Sequence, residues 1–163
     1  MIIDAKITKE IDALRPSFPT TQALLLPLLH AIQEKEGWVS EAAMQEASHF
    51  LQLPLAKVKE VVTFYTMYLK KPIGKHHIQV CTNIACFLRG SDQLLNCIEK
   101  KLGIHCGETT KDGAFTLSEV ECLAACGTAP VMQVNHDYHE NLSEASCLDI
   151  LEKLNKGEAG HHG

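Results

Sequence analysis

Between residues 18 and 69, apolar side chains recur every three or four positions, the period of helices with one face turned inward. In PTTQALLLPLLHAIQEKEG, residues Leu24, Leu25, Leu28, Leu29 and Ile32 share a face, with Thr20 or Thr21 placed to cap the start and Gly37 to stop the helix. Pro27 lies inside this run, which predicts a kink or a late start. Ser40 predicts the cap of a short helix over EAAMQEASHFL. Pro54 suits the first turn of a further helix, whose Val58, Val61, Val62, Tyr65, Tyr68 and Leu69 form one stripe. That stripe needs burial against the neighbouring helices and the cysteine-rich part of the chain, so core packing is the expected role of Tyr65 and Tyr68, ahead of a partner interface.

Past residue 74 the pattern changes. HHIQVC reads as a short strand with Ile78 and Val80 on one face, running into Cys81. A loop leads to SDQLLNCIEKKLG, a helix capped by Ser91 or Asp92, stopped by Gly103, and turning Leu94, Leu95, Ile98 and Leu102 inward. Asp112-Gly113 marks a turn before a strand ending at Cys122. PVMQVN is another strand, Asn135 to Asp137 a turn, and Ser143 the cap of a last helix, EASCLDILEKL. His76 and His77 open their strand and are expected at the surface or half-buried. The expected organisation is α+β: a helical region over 1–74, a small α/β layer of thioredoxin-like order over 75–156, and a disordered tail, GEAGHHG, over 157–163.

Charge sharpens the division. Residues 1–74 carry eight Lys and Arg against eight Asp and Glu, while 75–163 carry seven against twelve, so the net −5 lies wholly in the second part. A net negative chain with no basic run argues against nucleic acid. ALLLPLLHAI is about half the length of a membrane span, and MIIDAKITKEID has neither the cationic start nor the apolar run of a secretion signal. These features predict a chain of the bacterial cytosol with no direct membrane insertion.

All seven cysteines fall in the acidic part. Without a secretion signal, clustered cysteines point to metal or redox chemistry rather than disulfides. Cys81 and Cys86 (C-x4-C) and Cys122 and Cys126 (C-x3-C) are expected in loops just past strand ends, where two such loops side by side supply four thiolates. Cys97 and Cys147 lie at helical steps from leucines and read as small buried hydrophobes; Cys106 receives no role. Four cysteines at these spacings suit a structural zinc, although neither pair is the usual C-x2-C knuckle. They suit a [2Fe–2S] cluster somewhat better, because its wider core fits the longer loops, and spacing leaves zinc as the alternative. A thiol–disulfide enzyme is weaker, lacking C-x-x-C ahead of a helix. No Gly-rich dinucleotide fingerprint occurs, so NADH and FMN are not expected on this chain.

The runs VCTNIACFLRGSDQLLNCIEKKLGI and GETTKDGAFTLSEVECLAACGTAPVMQVN, with the upstream LLPLLHAIQEKEGWVS and VVTFYTMY, resemble the 24-kilodalton (E-type) subunits of respiratory complex I. These are thioredoxin-like [2Fe–2S] ferredoxins behind a helical region, and the resemblance spans roughly residues 18 to 150. It implies that Cys81, Cys86, Cys122 and Cys126 ligate one [2Fe–2S] cluster, with no catalytic acid, base or nucleophile. It implies that a partner subunit binds NADH and FMN, that this cluster exchanges electrons with that flavin, and that further iron–sulfur subunits complete an NADH:quinone oxidoreductase. The assembly would lie peripherally on the cytoplasmic face of the inner membrane. The equivalent subunit of an NAD-reducing hydrogenase or formate dehydrogenase is the alternative within this resemblance, and a zinc-stabilised interaction module is the alternative outside it. One position departs: the family usually has Gly in the middle of the second loop, where this chain has Ala124.

Overall fold

The computed structural model describes residues 1–157; apart from Gly157, the tail expected to be disordered lies outside them. The chain forms two compact units, Met1–Pro72 and one beginning at Ile73.

The first unit holds four helices, α1 (Ala5–Leu14), α2 (Leu25–Glu36), α3 (Glu41–Leu51) and α4 (Leu55–Phe64). Residues Thr21–Leu24 form a 3-10 turn, which leaves Pro27 in the first turn of α2, where its missing N–H costs no bond. The proline therefore delays α2 rather than kinking it. Gly37 ends α2 at φ 78°, and Ser40 caps α3 by accepting the Ala43 N–H at 3.1 Å. Helix α1 was not anticipated, although Asp4 caps it by accepting the Lys6 and Ile7 N–H groups and its Ile7 and Ile11 are buried. These helices bury Leu28, Leu29, Ile32, Ala43, Val58 and Val62 in one core.

The stripe expected to run along α4 departs from the helix partway. Tyr65 is extended and ends α4, so Tyr68 and Leu69 follow on non-helical backbone. Tyr68 is still buried, because the chain folds back on α2: its hydroxyl donates to the Leu26 carbonyl at 3.0 Å, and Leu69 N–H donates to the Gln33 side chain at 2.7 Å. Phe64 points outward at 76% exposure.

The second unit is built on a four-stranded mixed sheet of β1 (His76–Cys81), β2 (Phe115–Val120), β3 (Met132–Val134) and β4 (Asp137–His139), in the order β2-β1-β3-β4. β1 and β2 are parallel, with His76 opposite Phe115 and Cys81 opposite Val120; β1–β3 and β3–β4 are antiparallel. The crossover from β1 to β2 carries α5 (Ile84–Leu88) and α6 (Ser91–Leu102), and α7 (Glu144–Asn155) closes the unit. Leu94 and Ile98 of α6, with Cys147 and Leu151 of α7, bury against Ile78, Val80, Leu117 and Met132 of the sheet. Two details differ from expectation. Gly90, at φ 94°, occupies the cap position of α6 in place of Ser91 or Asp92, and residues 84–88 are helical rather than loop. Gly74 precedes β1 where a Cβ would lie 2.8 Å from the Phe115 backbone, so the approach of β1 to β2 requires glycine there.

His77 is more enclosed than expected, at 8% exposure, with Nε2 2.9 Å from the Ser118 hydroxyl. Burial lowers its pKa below 6.5. The unfolded chain takes up this proton first as pH falls, so the stability His77 confers is intact above its unfolded pKa and lost on descending below it. Between about pH 7.5 and 5.5, urea unfolding of the native chain should lose more free energy than that of His77→Gln; equal losses would contradict this account.

Candidate metal centre

Parallel pairing brings the two cysteine segments to the same end of the sheet. β1 and β2 both finish there, with Cys81 opposite Val120, and the segment after β2 returns at the same end into β3. The backbone holds this junction: Cys81 N–H donates to Val131 O at 3.1 Å and Thr82 N–H to Val120 O at 3.0 Å. Asn83 then caps α5 by accepting the Ile84 N–H at 2.8 Å, and α5 carries Cys86 back under the strand end.

Only partly are the cysteines in loops. Cys81 is the last residue of β1, Cys86 lies in α5, Cys122 is in the loop, and Cys126 opens a 3-10 turn, Cys126–Thr128. Their environments divide by pair. Cys81 and Cys86 are buried, packed with Ala129 and Val131, whereas Cys122 and Cys126 are exposed. Burial pushes the Cys86 thiol up to about 11, with the neighbouring Cys81 and Cys126 adding to the rise and the Val131 N–H opposing it. The structure thus packs Cys86 against Cys81, with Cys126 near enough for its charge to act on the Cys86 thiol. Cys122 sits four residues before Cys126, its Sγ accepting the Ala124 N–H at 3.3 Å. The segment is anchored downstream through Asn141 N–H to Thr128 O at 2.7 Å and Leu142 N–H to Pro130 O at 3.1 Å.

Among the described residues, no three His, Cys, Asp or Glu side chains converge closely enough to hold one metal ion. A two-iron core takes two cysteines per iron, which matches a donor set of four thiols in two pairs. The other cysteines are free thiols set in the packing of the α/β unit. Cys147 is fully buried, 3.8 Å from the Met132 sulfur, and burial pushes it up to about 12. Cys97 is half-buried rather than buried. Cys106 is half-buried at the edge of the same core, its N–H donating to the Glu99 carboxylate at 3.0 Å.

Ala124 has φ 58°, in the left-handed region, without the polar side chain that eases Asn135 and Asn141 there. Glycine suits this position because of backbone conformation. Left-handed backbone costs an L-residue about 1–2 kcal/mol, and glycine's greater unfolded freedom returns about 0.4–1 kcal/mol of that. Ala124→Gly should therefore stabilise the α/β unit by about 0.5–1 kcal/mol in urea unfolding and retain any bound metal; a lower stability would refute the strain.

Residues 11–155 match the family model of the thioredoxin-like [2Fe-2S] ferredoxins. The chain is 49% identical over 133 residues to the E-type subunit of NADH-quinone oxidoreductase from Rickettsia prowazekii (strain Madrid E), covering 81% of this chain and 75% of that protein. It is 43% identical over 150 residues to the E 2 subunit of NADH-quinone oxidoreductase from Rhizobium meliloti (strain 1021), covering 92% of this chain and 89% of that protein. In fold it is similar to part of an NAD+-reducing [NiFe]-hydrogenase in the air-oxidized state, with TM-score 0.73 and 21% identity. That likeness covers 83% of this chain and 23% of the hydrogenase chain.

Proposed function

We infer the function from one premise: this chain belongs to the thioredoxin-like [2Fe-2S] ferredoxin family and, within it, to the E-type subunits of NADH-quinone oxidoreductase. Cys81, Cys86, Cys122 and Cys126 hold one [2Fe–2S] cluster, through which the chain exchanges single electrons with the flavin of a partner subunit. The observation that carries this reading is the shared sheet end, to which the parallel pairing of β1 and β2 brings both cysteine segments and where Cys81 and Cys86 pack together.

When bound, the cluster supplies a one-electron couple and nothing else. The chain's own residues set its surroundings. Cys81 and Cys86 hold the inner side out of water, and Cys86, whose thiol burial pushes up to about 11, must surrender its proton as metal binds. The Val131 and Ala124 N–H groups point at the Cys86 and Cys122 sulfurs and offset negative charge there. Cys122 and Cys126, both exposed, would hold a bound cluster on the side open to an electron-transfer partner. No side chain is needed to move a proton. The unit that carries the cysteines holds the chain's whole net −5, which disfavours a further negative charge there and favours a low reduction potential.

NADH and FMN belong to the partner subunit, and further iron–sulfur subunits take the electrons toward quinone. Among the described residues no helix is long and apolar enough to cross a membrane, which supports peripheral placement, on the cytoplasmic face, through the rest of the complex. The role of the equivalent subunit in a hydrogenase or formate dehydrogenase ranks second, because the relatives at 43–49% identity are E-type oxidoreductase subunits.

Anaerobic mixing tests the reading. NADH alone should leave the visible absorption of the iron-loaded chain unchanged, and NADH with a catalytic amount of the flavoprotein subunit should bleach it. No bleaching with both present would overturn electron exchange with the flavin.

A further inference from the structure

Among the described residues, two buried side-chain polar atoms lack a hydrogen-bond partner, His76 Nδ1 and Ser91 Oγ. His76 opens β1, at the end away from the cysteines. Ser91 is the first residue of α6 and is 0% exposed. Because β1 and β2 run parallel, the chain between them must travel back along the sheet. Helix α6, which buries Leu94 and Ile98 against both strands, therefore begins at the end where β1 finishes in Cys81. The turn into it is tied to Cys86, whose carbonyl accepts the Arg89 N–H at 3.1 Å. Between Cys81 and Leu94, the buried side chains are Cys86 and Ser91. A buried hydroxyl without a partner is costly and calls for a ligand that completes it. The start of α6 adds a second feature. Gly90 holds the cap position in left-handed backbone and no side chain caps the first N–H groups, so the positive end of a 12-residue helix lies at the cysteine end of the sheet. Asp92, the acid of its first turn, is exposed to solvent. Both features favour negative charge, and a two-iron core held by four thiolates carries a net negative charge that grows on reduction.

We propose that the Ser91 hydroxyl donates a hydrogen bond to a sulfur of the bound cluster and thereby raises its reduction potential. This rests on the reading of Cys81, Cys86, Cys122 and Cys126 as the ligands of a [2Fe–2S] cluster. A hydrogen bond to sulfur strengthens as the sulfur gains charge, so it stabilises the reduced state more than the oxidised one. It works against the net −5 of the same unit. It acts from the buried side, where bulk water does not compete.

The test is a redox titration of the iron-loaded chain. Ser91→Ala removes only the hydroxyl and leaves a residue that favours helix, so iron, acid-labile sulfide and the visible spectrum should be retained. Its one-electron equilibrium should move toward the oxidised state by about tenfold, a fall of about 59 mV. The shift of the iron–sulfur stretching bands on transfer to D2O should also shrink, which a merely structural role would not bring about. His76→Gln, at the other unpartnered atom, should match the native chain in both measurements. If Ser91→Ala holds no iron, Ser91→Thr decides: a cluster at the native potential supports the role of the hydroxyl, and no cluster overturns it. An unchanged potential or an unchanged deuterium shift in iron-loaded Ser91→Ala would overturn the hydrogen bond and leave the ligand assignment standing. A native chain that takes up no iron would overturn both.

Discussion

Cys86→Ser should purify without the visible absorption of an iron–sulfur protein, its iron and acid-labile sulfide falling from about two each per chain to near zero. Of the four proposed ligands, Cys86 is the one whose loss should disturb its surroundings most. It is buried on α5 and packs with Cys81, Ala129 and Val131, so serine leaves a small polar group without a metal partner inside an apolar cluster. Cys126→Ser should lose the cluster as completely while folding normally, because that side chain is exposed. The pair thereby separates loss of ligation from loss of fold. Cys147→Ser should keep the cluster, since Cys147 lies against Met132 in the core of the unit. Native protein with about one zinc and no labile sulfide, or Cys126→Ser with an unchanged reduced-state EPR signal, would sink the assignment.

Tyr68→Ala should cost the helical unit about 3–5 kcal/mol, and Tyr68→Phe about 1 kcal/mol. The ring is 1% exposed and packs with His30 at 5.2 Å between centroids, so truncation leaves a large cavity, whereas phenylalanine removes only the hydroxyl bond to Leu26 O. Burial pushes the phenol up to about 12, so it remains a donor throughout the neutral range. Trp38, the single tryptophan, lies in the first unit and reports its unfolding by fluorescence, while the visible absorption of the loaded chain reports the second. Both variants should shift the tryptophan transition. A Tyr68→Ala shift no larger than that of Tyr68→Phe would show that the ring does not support the core.

Where a signal was local, it could be read along the chain. Ser40, Gly37, Gly103 and Ser143 occupy the cap positions expected of them because a cap is a bond within a few residues. Helix α1 carried such a signal too, Asp4 followed by Ile7 and Ile11, and was legible though not singled out. Helix α5 was harder: five residues are too few to show a period, and its outward apolar face reads like core. Tyr68 shows the same boundary, since its burial was legible but the helix assumed to deliver it was not there.

By itself the sequence determined two chemically distinct parts, most of their helices and strands, a set of four cysteines in two pairs, and the family. The tertiary structure decided that β2 runs parallel beside β1 and that β3 returns antiparallel, which is why residues 81–86 and 122–126 meet at one end. It also decided that one pair is buried and the other open, that Ala124 turns left-handed, and that α5 shows its apolar face to solvent. The physical reason is range. Caps and periods are set by residues within a turn of one another, whereas pairing and burial are set by partners some forty positions apart, whose choice emerges only when the sheet assembles.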